Sequence, residues 1–424
     1  MEVNGDNFVT ELNILQNEVE GAAYIAIDCE FSGLLGKTKD DQDSLMNEDH
    51  TSFIRQFEGL RERALKYAIL QIGLTFISFA KDGSASCTPY TINLTPLTDT
   101  NLFFRRDYCM ETSSLAFLLR HGFDFQKQLD GGVRYLSKKE ESFLYRKFKN
   151  QMHTKSEFIS LDATAESLVR ETKAQIEEWR SNLDRDGACD YLNVDTSNRY
   201  YQKVIHNLVE SQYVGLQSIS KNSFIQIRMS ESRNSPPFKR QIPDADSVDQ
   251  KKRTIYEKRI QLLDEAVGFR KLWDYLLSKR KRIICHNGLA DLLFLFSIFE
   301  GDLPKTYNEF KNVLYTSFES VYDTKVLYTK SPLLRHVIDN GSSNLQALVE
   351  KIQITSTKIS QLCSRVSLLD RGPYSIMMNR KNSHEAGKDA YDTAIAFLYY
   401  LNYTPHSDIE GCSNILFLNG QYLV

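Results

Sequence analysis

An apolar, strand-like run that ends in two acids constrains this chain more than any other feature of its sequence. Residues 22–29 read AAYIAIDC, so that Asp28 closes the run and Glu30 follows after Cys29. Side chains two residues apart in a strand point to the same face, which places both carboxylates on one surface. Two neighbouring carboxylates repel each other unless one is protonated or a cation lies between them. An isolated pair of this kind is more often a solvated strand end, and a shared site therefore requires further acids.

Two further acids stand where helices begin. The segment RIIC at 282–285 predicts a buried strand, and HNGLADLLFLF after it predicts a helix with Asp291 in its first turns. In HEAGKDAYDT, His384 precedes Asp389 by five residues at the start of a late helix. Both side chains can face one cleft if His384 lies at or before the helix cap. Taken singly, each acid is explained by the favourable field at a helix N-terminus, and the histidine by packing or by the surface.

The conjunction of these residues predicts a metal-dependent hydrolase of phosphodiesters. Oxygen ligands of this kind suit Mg²⁺ or Mn²⁺. In two-metal hydrolysis, a pair of cations about 4 Å apart stabilises the attacking and leaving oxygens. A histidine beside such a site can accept a proton from water near neutral pH. The predicted metal ligands are Asp28, Glu30, Asp291 and Asp389, and the predicted base is His384.

The remaining pattern predicts an α/β fold that is interrupted by an inserted module. Apolar runs bounded by turns alternate with helical stretches, which is typical of a mixed α/β layer. A region with two amphipathic stretches and a short strand separates the acid pair from the other acids. The predicted parts are an N-terminal part of a nuclease domain at 1–152, a small inserted α/β module at 160–232, and a C-terminal part of the nuclease domain at 248–424.

Individual elements follow from the same patterns. A stretch rich in serine, proline and charge predicts a linker at 230–253. Strands are predicted at 67–79 and 87–94, together with a strand-like run at 313–322 and one long helix from Thr254 to Lys279.

Composition excludes several other classes of protein. Of the 424 residues, 42% are hydrophobic and 25% charged, as in soluble globular proteins. The seven cysteines form no CxxC pair, which argues against a disulfide framework or a zinc knuckle and favours a reducing compartment. No apolar stretch reaches the roughly 18 residues that span a bilayer. Because the net charge is −3, binding to a nucleic acid must rely on local basic clusters such as Lys251–Arg253 and Lys279–Arg282.

Six segments, in the same order along nearly the whole chain, give the sequence a family resemblance. It resembles the DEDDh branch of the DEDD exonuclease superfamily and, within that branch, the poly(A)-specific ribonuclease family. The resemblance implies a ribonuclease-H-like mixed sheet flanked by helices. It also implies a 3′→5′ exoribonuclease with two Mg²⁺ ions, which Mn²⁺ can replace. The segments are IDCEFSGL (27–34), YAILQIGL (67–74), GFDF (122–125), HNGLADLLFLF (286–296), YDTKVL (322–327) and HEAGKDAYDT (384–393).

The resemblance also implies roles for individual residues. Phe31 can stack a terminal base and Lys325 can neutralise the scissile phosphate, although core packing and a solvated amine are the simpler alternatives. The inserted module occupies the place of the family's nucleic-acid-binding module. Its Arg-x-x-x-His signature is absent, since Lys203 follows Arg199 by four residues. The family's four acids fall on Asp28, Glu30, Asp291 and Asp389, its base on His384, and its substrate contacts on Phe31, Leu34, Phe125 and Lys325.

Within the family, the sequence is most similar to the PARN-like trimmers of Piwi-interacting RNA (piRNA) precursors. The chain stops soon after the last acid-bearing helix, where poly(A)-specific ribonuclease continues into an RNA-recognition domain. The predicted function is therefore trimming of single-stranded RNA 3′ ends with release of 5′-monophosphates. Deadenylation of mRNA tails, exonuclease action on DNA and non-catalytic RNA binding are the alternatives.

The trimmer branch also implies partners and a location. The expected partners are single-stranded RNA, Piwi-bound RNA, a Tudor-domain adaptor and a second copy of the chain. The expected location is the cytoplasm, in perinuclear granules, or the mitochondrial surface if a membrane tail follows Val424.

Overall fold

The strand that carries Asp28 and Glu30 lies inside a six-stranded mixed sheet. The computed structural model describes residues 1–34, 50–99, 102, 104–153, 163–183, 189–196, 198–213, 215–229, 245–330, 344–358, 384–404, 406–418 and 421–423. The strands are β1 (Glu2–Val3), β2 (Tyr24–Phe31), β3 (Ile69–Phe79), β4 (Ala85–Asn93), β5 (Tyr191–Asp195), β6 (Leu216–Ser220), β7 (Phe224–Met229), β8 (Arg282–Cys285), β9 (Ser320–Asp323), β10 (Leu416–Leu418) and β11 (Gln421–Leu423).

The order of strands in the large sheet is β1-β4-β3-β2-β8-β9. The pairs β2–β3 and β3–β4 are antiparallel, whereas β1–β4, β2–β8 and β8–β9 are parallel. Strands β10 and β11 form a separate antiparallel hairpin. The predicted α/β fold with a ribonuclease-H-like mixed sheet flanked by helices is therefore confirmed.

Helices lie on both faces of this sheet. In chain order, the helices of the described residues, including those outside the large sheet, are α1 (Phe8–Gly21), α2 (His50–Lys66), α3 (Thr112–Arg120), α4 (Phe125–Gly131), α5 (Lys138–His153), α6 (Ala163–Asn182), α7 (Arg199–Gln212), α8 (Ala245–Val267), α9 (Arg270–Lys279), α10 (Leu289–Glu300), α11 (Tyr307–Ser317), α12 (Thr324–Lys330), α13 (Leu345–Lys358), α14 (Ala386–Tyr403) and α15 (His406–Glu410).

Strand β2 separates two hydrophobic cores. Its odd-numbered side chains, from Ile25 to Cys29, pack in one core with α1, α9, α10 and α11. Tyr24 and Ala26 pack in the other core with α12, α13 and α14. Because both faces are covered, the strand is an almost continuous apolar run rather than an alternating one. The two acids continue the even-numbered row, which directs them toward α14.

The chain divides into two compact units. Residues 1–147 and 259–424 form the first, which contains the large sheet, and residues 148–258 form the second. In the second unit, an antiparallel sheet of order β5-β7-β6 packs against α6 and α7. The predicted inserted module, residues 160–232, lies within this unit. Its core consists of Ile176, Val194, Ile205, Leu208, Val209, Tyr213, Ile225 and Ile227.

The single long helix predicted from Thr254 to Lys279 is wrong, because two helices meet at Gly268. This residue has a φ of 51°, a conformation that glycine adopts without a steric penalty. A Cβ at Gly268 would lie 1.8 Å from the carbonyl oxygen of Arg134. The N–H of Phe269 donates to the same oxygen at 3.0 Å. The close approach to this carbonyl ends one helix and begins the next.

Two other predicted boundaries also differ from the structure. The strand-like run at 313–322 is the end of α11 followed by β9, which begins at Ser320. Phe310 and Leu314 are both buried, and their spacing is that of a helix face rather than of a strand. The predicted linker at 230–253 overlaps α8, which begins at Ala245, and residues 230–244 lie outside the described residues.

Candidate active site

The acid pair on β2 lies beyond the point where the pairing of this strand with β8 ends. Asp28 is opposite Gly73 of β3, and Glu30 is opposite Gln71. On the other side, the pairing of β2 with β8 ends at Ala26. Beyond this point the strand edge is open, so that its backbone N–H groups and the two half-buried acids are accessible to side chains from other elements.

Asp291 occupies this open edge. It lies in the first turn of α10 and is 8% exposed. Its carboxylate accepts hydrogen bonds from the backbone N–H and the thiol of Cys29, the residue between the two β2 acids. Strand β2 therefore contributes two carboxylates on one face. The backbone N–H of Cys29 at the strand edge and the Cys29 thiol on the opposite face hold the Asp291 carboxylate beside them.

Helix α14 lies directly on β3 and β4. A Cβ at Gly73 would be 1.8 Å from the carbonyl oxygen of Ala386, and a Cβ at Gly387 would be 2.0 Å from the hydroxyl of Thr91. The N–H of Ala386 donates to Gln71 Oε1 at 2.9 Å. Two glycines and one glutamine therefore fix the first turn of α14 over the acid pair.

This first turn brings His384 and Asp389 to the acid pair. Glu385 is the helix cap, and His384 precedes it with a φ of 76°. The N–H of His384 donates to the Asp389 carboxylate, which orients both groups. Ligand atoms of Glu30, His384 and Asp389 all lie within 4.8 Å of one another.

Burial and mutual repulsion raise the pKa values of the four acids. The pKa values of Asp28 and Glu30 lie well above their usual range, first because of burial and then because of the neighbouring carboxylates. Burial raises the pKa of Asp291 to about 7, and hydrogen bonds from Cys29 oppose the shift. Burial and the Asp392 charge raise the pKa of Asp389 to about 7. Without a counter-charge, the four carboxylates are therefore unfavourable as anions.

The donor set fits a hard divalent cation. All four acids offer oxygen ligands, which Mg²⁺ and Mn²⁺ prefer, and a positive ion among them would remove their mutual repulsion. Burial and the neighbouring His121 lower the pKa of His384, which keeps its imidazole neutral near pH 7. The five predicted residues therefore form one cluster, in which a neutral histidine stands beside four carboxylates.

Two nearby acids have other roles. Asp323, which is fully buried, accepts the N–H of Asn287 at 2.8 Å, that of Lys325 at 3.0 Å and that of Phe417 at 3.1 Å. These bonds occupy both of its oxygens, so it joins the turn before α10 to the first turn of α12 and to β10. Asp392 on α14 pairs with Lys388.

His121 is a neighbour of the site that sequence reasoning missed. Its ring centroid lies 4.4 Å from that of His384, and Phe117 lies 4.6 Å from the same ring, both edge-on. The Nδ1 atom of His121 lies 2.8 Å from the carbonyl oxygen of Phe117, which fixes the imidazole at the C-terminal end of α3. The segment GFDF, which begins one residue later, was the available signal that this region approaches the site.

The predicted substrate contacts lie in different environments. Phe31 is 8% exposed and packs against Phe294 with ring centroids 4.3 Å apart, which is the core-packing alternative. Leu34 is half-buried and donates its N–H to Ser114 at 3.2 Å. The ring of Phe125 lies 4.8 Å from that of Phe123. The ammonium of Lys325 lies 4.8 Å from the ring centroid of Phe417. Their contacts with a substrate stay predictions.

The basic cluster at 279–282 is occupied by structural contacts. Lys279 pairs with Glu20, and Lys281 donates to the carbonyl oxygen of Glu20 at 2.9 Å. Arg282 pairs with Glu319 at 2.6 Å. This cluster therefore joins α1, β8 and the end of α11 rather than presenting a free basic surface. The side chains of Lys251 and Lys252 lie outside the part of the chain whose side chains are described.

We expect the stabilisation of this protein by Mg²⁺ or Mn²⁺ to increase as the pH rises from about 5.5 to 8. The folded, metal-free site holds protons on Asp291 and Asp389 up to about pH 7, whereas the unfolded chain has lost them near pH 4. The metal-free fold therefore loses stability as the pH rises through this window. A cation that competes with these protons binds better at the upper end.

The measurement compares thermal unfolding midpoints with Mn²⁺ and with EDTA at each pH. Groups that titrate outside the site affect both midpoints equally, so their effect cancels in the difference between the midpoint with Mn²⁺ and the midpoint with EDTA. A gain in midpoint that does not change with pH would show that these acids do not bind the cation.

The amino-acid sequence of the chain is similar to those of several known proteins. Residues 3–397 match the profile of the CAF1 family ribonucleases. The chain is 42% identical to an uncharacterized protein of Schizosaccharomyces pombe, with 100% of this chain and 98% of that protein covered. It is 27% identical to the poly(A)-specific ribonuclease PARN of Arabidopsis thaliana, covering 95% of this chain and 63% of the plant protein. It is 26% identical to the pre-piRNA 3′-exonuclease trimmer of Bombyx mori, covering 94% of this chain and 70% of the silkworm protein.

Among the described helices, none is both long and apolar enough to cross a membrane.

Proposed function

Since the chain belongs to the CAF1 family of ribonucleases, we propose that it is a Mg²⁺-dependent 3′→5′ exoribonuclease that shortens single-stranded RNA. The observation that carries this proposal is the cluster of four carboxylates with His384 at its edge. A binding protein would have no need to bury several repelling acids beside a neutral imidazole, because each such group destabilises the metal-free fold.

The residues of the cluster divide into metal ligands and a base. Asp28, Glu30, Asp291 and Asp389 would hold two Mg²⁺ ions, which when bound would stabilise negative charge on the attacking and leaving oxygens. His384 would accept a proton from the water that attacks the terminal phosphodiester. The bond to the 3′ oxygen of the preceding nucleotide breaks, so the removed nucleotide leaves as a 5′-monophosphate. His121 and Phe117 would keep the His384 ring in place, and burial together with His121 lowers its pKa.

Shortening of labelled RNAs tests this proposal. We expect purified protein with Mg²⁺ to shorten 5′-labelled RNAs with poly(A) and mixed 3′ ends one nucleotide at a time. EDTA and the variant His384→Ala should stop the reaction, because they remove the cations and the base. An RNA with a 2′-deoxy 3′ end tests the choice of RNA over DNA, since the 2′-OH distinguishes the two polymers. Internal cleavage, or activity that EDTA does not affect, would contradict the proposal.

The physiological RNA is the finer part of the proposal. Relatives named as poly(A)-specific ribonuclease and as pre-piRNA trimmer are similar to this chain to nearly the same degree, at 27% and 26% identity. We propose 3′-end trimming, with piRNA precursors as the substrate, and deadenylation as the second candidate. Shortening of poly(A) ends alone would favour deadenylation. Piwi-bound RNA, a Tudor-domain adaptor, a homodimer and the cytoplasmic location stay predictions.

A further inference from the structure

A small basic and aromatic surface lies beside the acid cluster. It consists of Lys325 and Lys330 on α12 and of Phe417 and Tyr422 on the β10–β11 hairpin, and we call it the hairpin surface. The two aromatic residues are directly opposite each other in the hairpin, with ring centroids 6.0 Å apart. The ammonium of Lys325 lies 4.8 Å from the ring centroid of Phe417, and that of Lys330 lies 4.9 Å from the ring centroid of Tyr422.

The rings orient the two lysines without cancelling their charge. Several other lysines of the first unit pair with carboxylates, as Lys139 does with Asp302 at 2.6 Å, and such pairs neutralise the cation. An aromatic face attracts an ammonium through its quadrupole but carries no net charge. Within the part of the chain that the structure describes, no carboxylate lies within ion-pair distance of Lys325 or Lys330. The hairpin surface therefore presents two fixed positive charges that can attract an anion.

One buried acid links the hairpin surface to the active site. Asp323 accepts the N–H of Lys325 at 3.0 Å and the N–H of Phe417 at 3.1 Å. The same carboxylate interacts electrostatically with Asp291, which is a predicted metal ligand. The hairpin surface therefore begins at the edge of the acid cluster, and from Lys325 it extends along α12 to Lys330.

We propose that the hairpin surface binds the backbone of single-stranded RNA upstream of the nucleotide being removed. This inference rests on the proposed exoribonuclease function. Lysines at fixed positions suit the phosphates that every RNA shares, and Tyr422, which is 40% exposed, offers a ring to a base of any kind. Recognition of this type is independent of base sequence, as an enzyme that shortens mixed RNA requires. The resemblance implied a substrate contact at Lys325 alone, so Lys330, Phe417 and Tyr422 are new assignments.

The test measures RNA binding by fluorescence anisotropy in EDTA, so that hydrolysis does not interfere. The probes are labelled RNAs of about 12 and about 3 nucleotides, which bracket the reach of the surface. We expect Tyr422→Ala to weaken binding of the longer RNA about tenfold, because a stacked base is lost. For Lys330→Gln we expect the slope of log affinity against log salt to decrease by about 0.7, as for one lost phosphate contact. The longer RNA should lose more affinity than the shorter one.

A matched pair on another helix provides the control. The ammonium of Lys311 lies 5.5 Å from the ring centroid of Tyr315 on α11, and Tyr315 is 37% exposed. Lys311→Gln and Tyr315→Ala remove a lysine and a ring of the same kind and should leave RNA affinity unchanged. Tyr422→Phe keeps the ring and should bind RNA within about twofold of the wild-type protein, which separates loss of stacking from loss of the hairpin.

The outcomes distinguish this inference from the proposed function. If the wild-type protein shortens RNA while Lys330→Gln and Tyr422→Ala bind the longer RNA as tightly as the control variants do, the hairpin inference is overturned and the exoribonuclease proposal stands. If the wild-type protein neither binds nor shortens RNA, both are overturned.

Discussion

Replacing Asp389 with asparagine is expected to abolish RNA shortening and at the same time to stabilise the metal-free protein. Asparagine has almost the shape of aspartate but carries no charge, so the repulsion from the neighbouring carboxylates and the cost of burying this charge are both removed. It is also a poorer ligand for Mg²⁺. We expect turnover to fall by about 10³-fold or more. At pH 8 in EDTA, the thermal midpoint should rise above that of the wild-type protein.

The variant Asp323→Asn is the matched control, because it changes a buried acid that has hydrogen-bond partners. Three backbone N–H groups donate to its two carboxylate oxygens, and an amide would leave at least one of them without an acceptor. We expect this variant to have a lower thermal midpoint than the wild-type protein both with and without Mn²⁺. Its free energy of unfolding should decrease by about 1–3 kcal/mol. Opposite shifts in the two variants would support the division of roles. A lower midpoint for Asp389→Asn in EDTA would show that its charge is already compensated within the protein.

Adding one methyl group at Gly73 is expected to inactivate the enzyme although every acid and His384 remain. The new Cβ would lie 1.8 Å from the carbonyl oxygen of Ala386, so the first turn of α14 must move away from β3. His384 and Asp389 move with it. A displacement of about 1 Å can reduce turnover about 100-fold, and overpacking of this kind costs about 1–3 kcal/mol. Both quantities are measured on the purified variant, by RNA shortening and by unfolding in urea.

Gly59→Ala is the control for this substitution. Gly59 lies within α2, and a Cβ there would meet nothing within 4 Å. Alanine at this helical position should stabilise the protein by about 0.5–1 kcal/mol and leave the shortening of RNA unchanged. Wild-type turnover in Gly73→Ala would contradict the view that contact between α14 and the sheet sets the geometry of the site.

The elements that carry the four acids could be predicted from the sequence because each depends on local signals. The run before Asp28 is apolar and ends in acids, as expected for a buried strand that opens into a site. Asp291 and Asp389 each lie in the first turn of a helix, where the sequence predicted them. These features need only strand alternation and helix periodicity, which are visible in a short window of sequence.

Other features depend on contacts between distant segments and could not be predicted. Gly268 looks like an ordinary residue of a long helix until the carbonyl of Arg134 is placed beside it. His121 becomes a neighbour of His384 only after α3 is packed against the start of α14. The run from Lys279 to Arg282 looks like a phosphate-binding cluster, but its partners Glu20 and Glu319 lie on other elements. The sequence pattern alone does not identify the residues that a charged side chain contacts in the folded protein.

The chain order of the elements around the site has a consequence for synthesis on the ribosome. Strands β2, β3 and β4 are neighbours both in the chain and in the sheet, so this antiparallel part can form early. Helix α14, which completes the cluster over β3, is translated only after all six strands of the large sheet. Until it emerges, a nascent chain contains Asp28 and Glu30 but neither Asp389 nor His384. A partly translated chain therefore lacks two members of the cluster, and under the proposed function it would not shorten RNA.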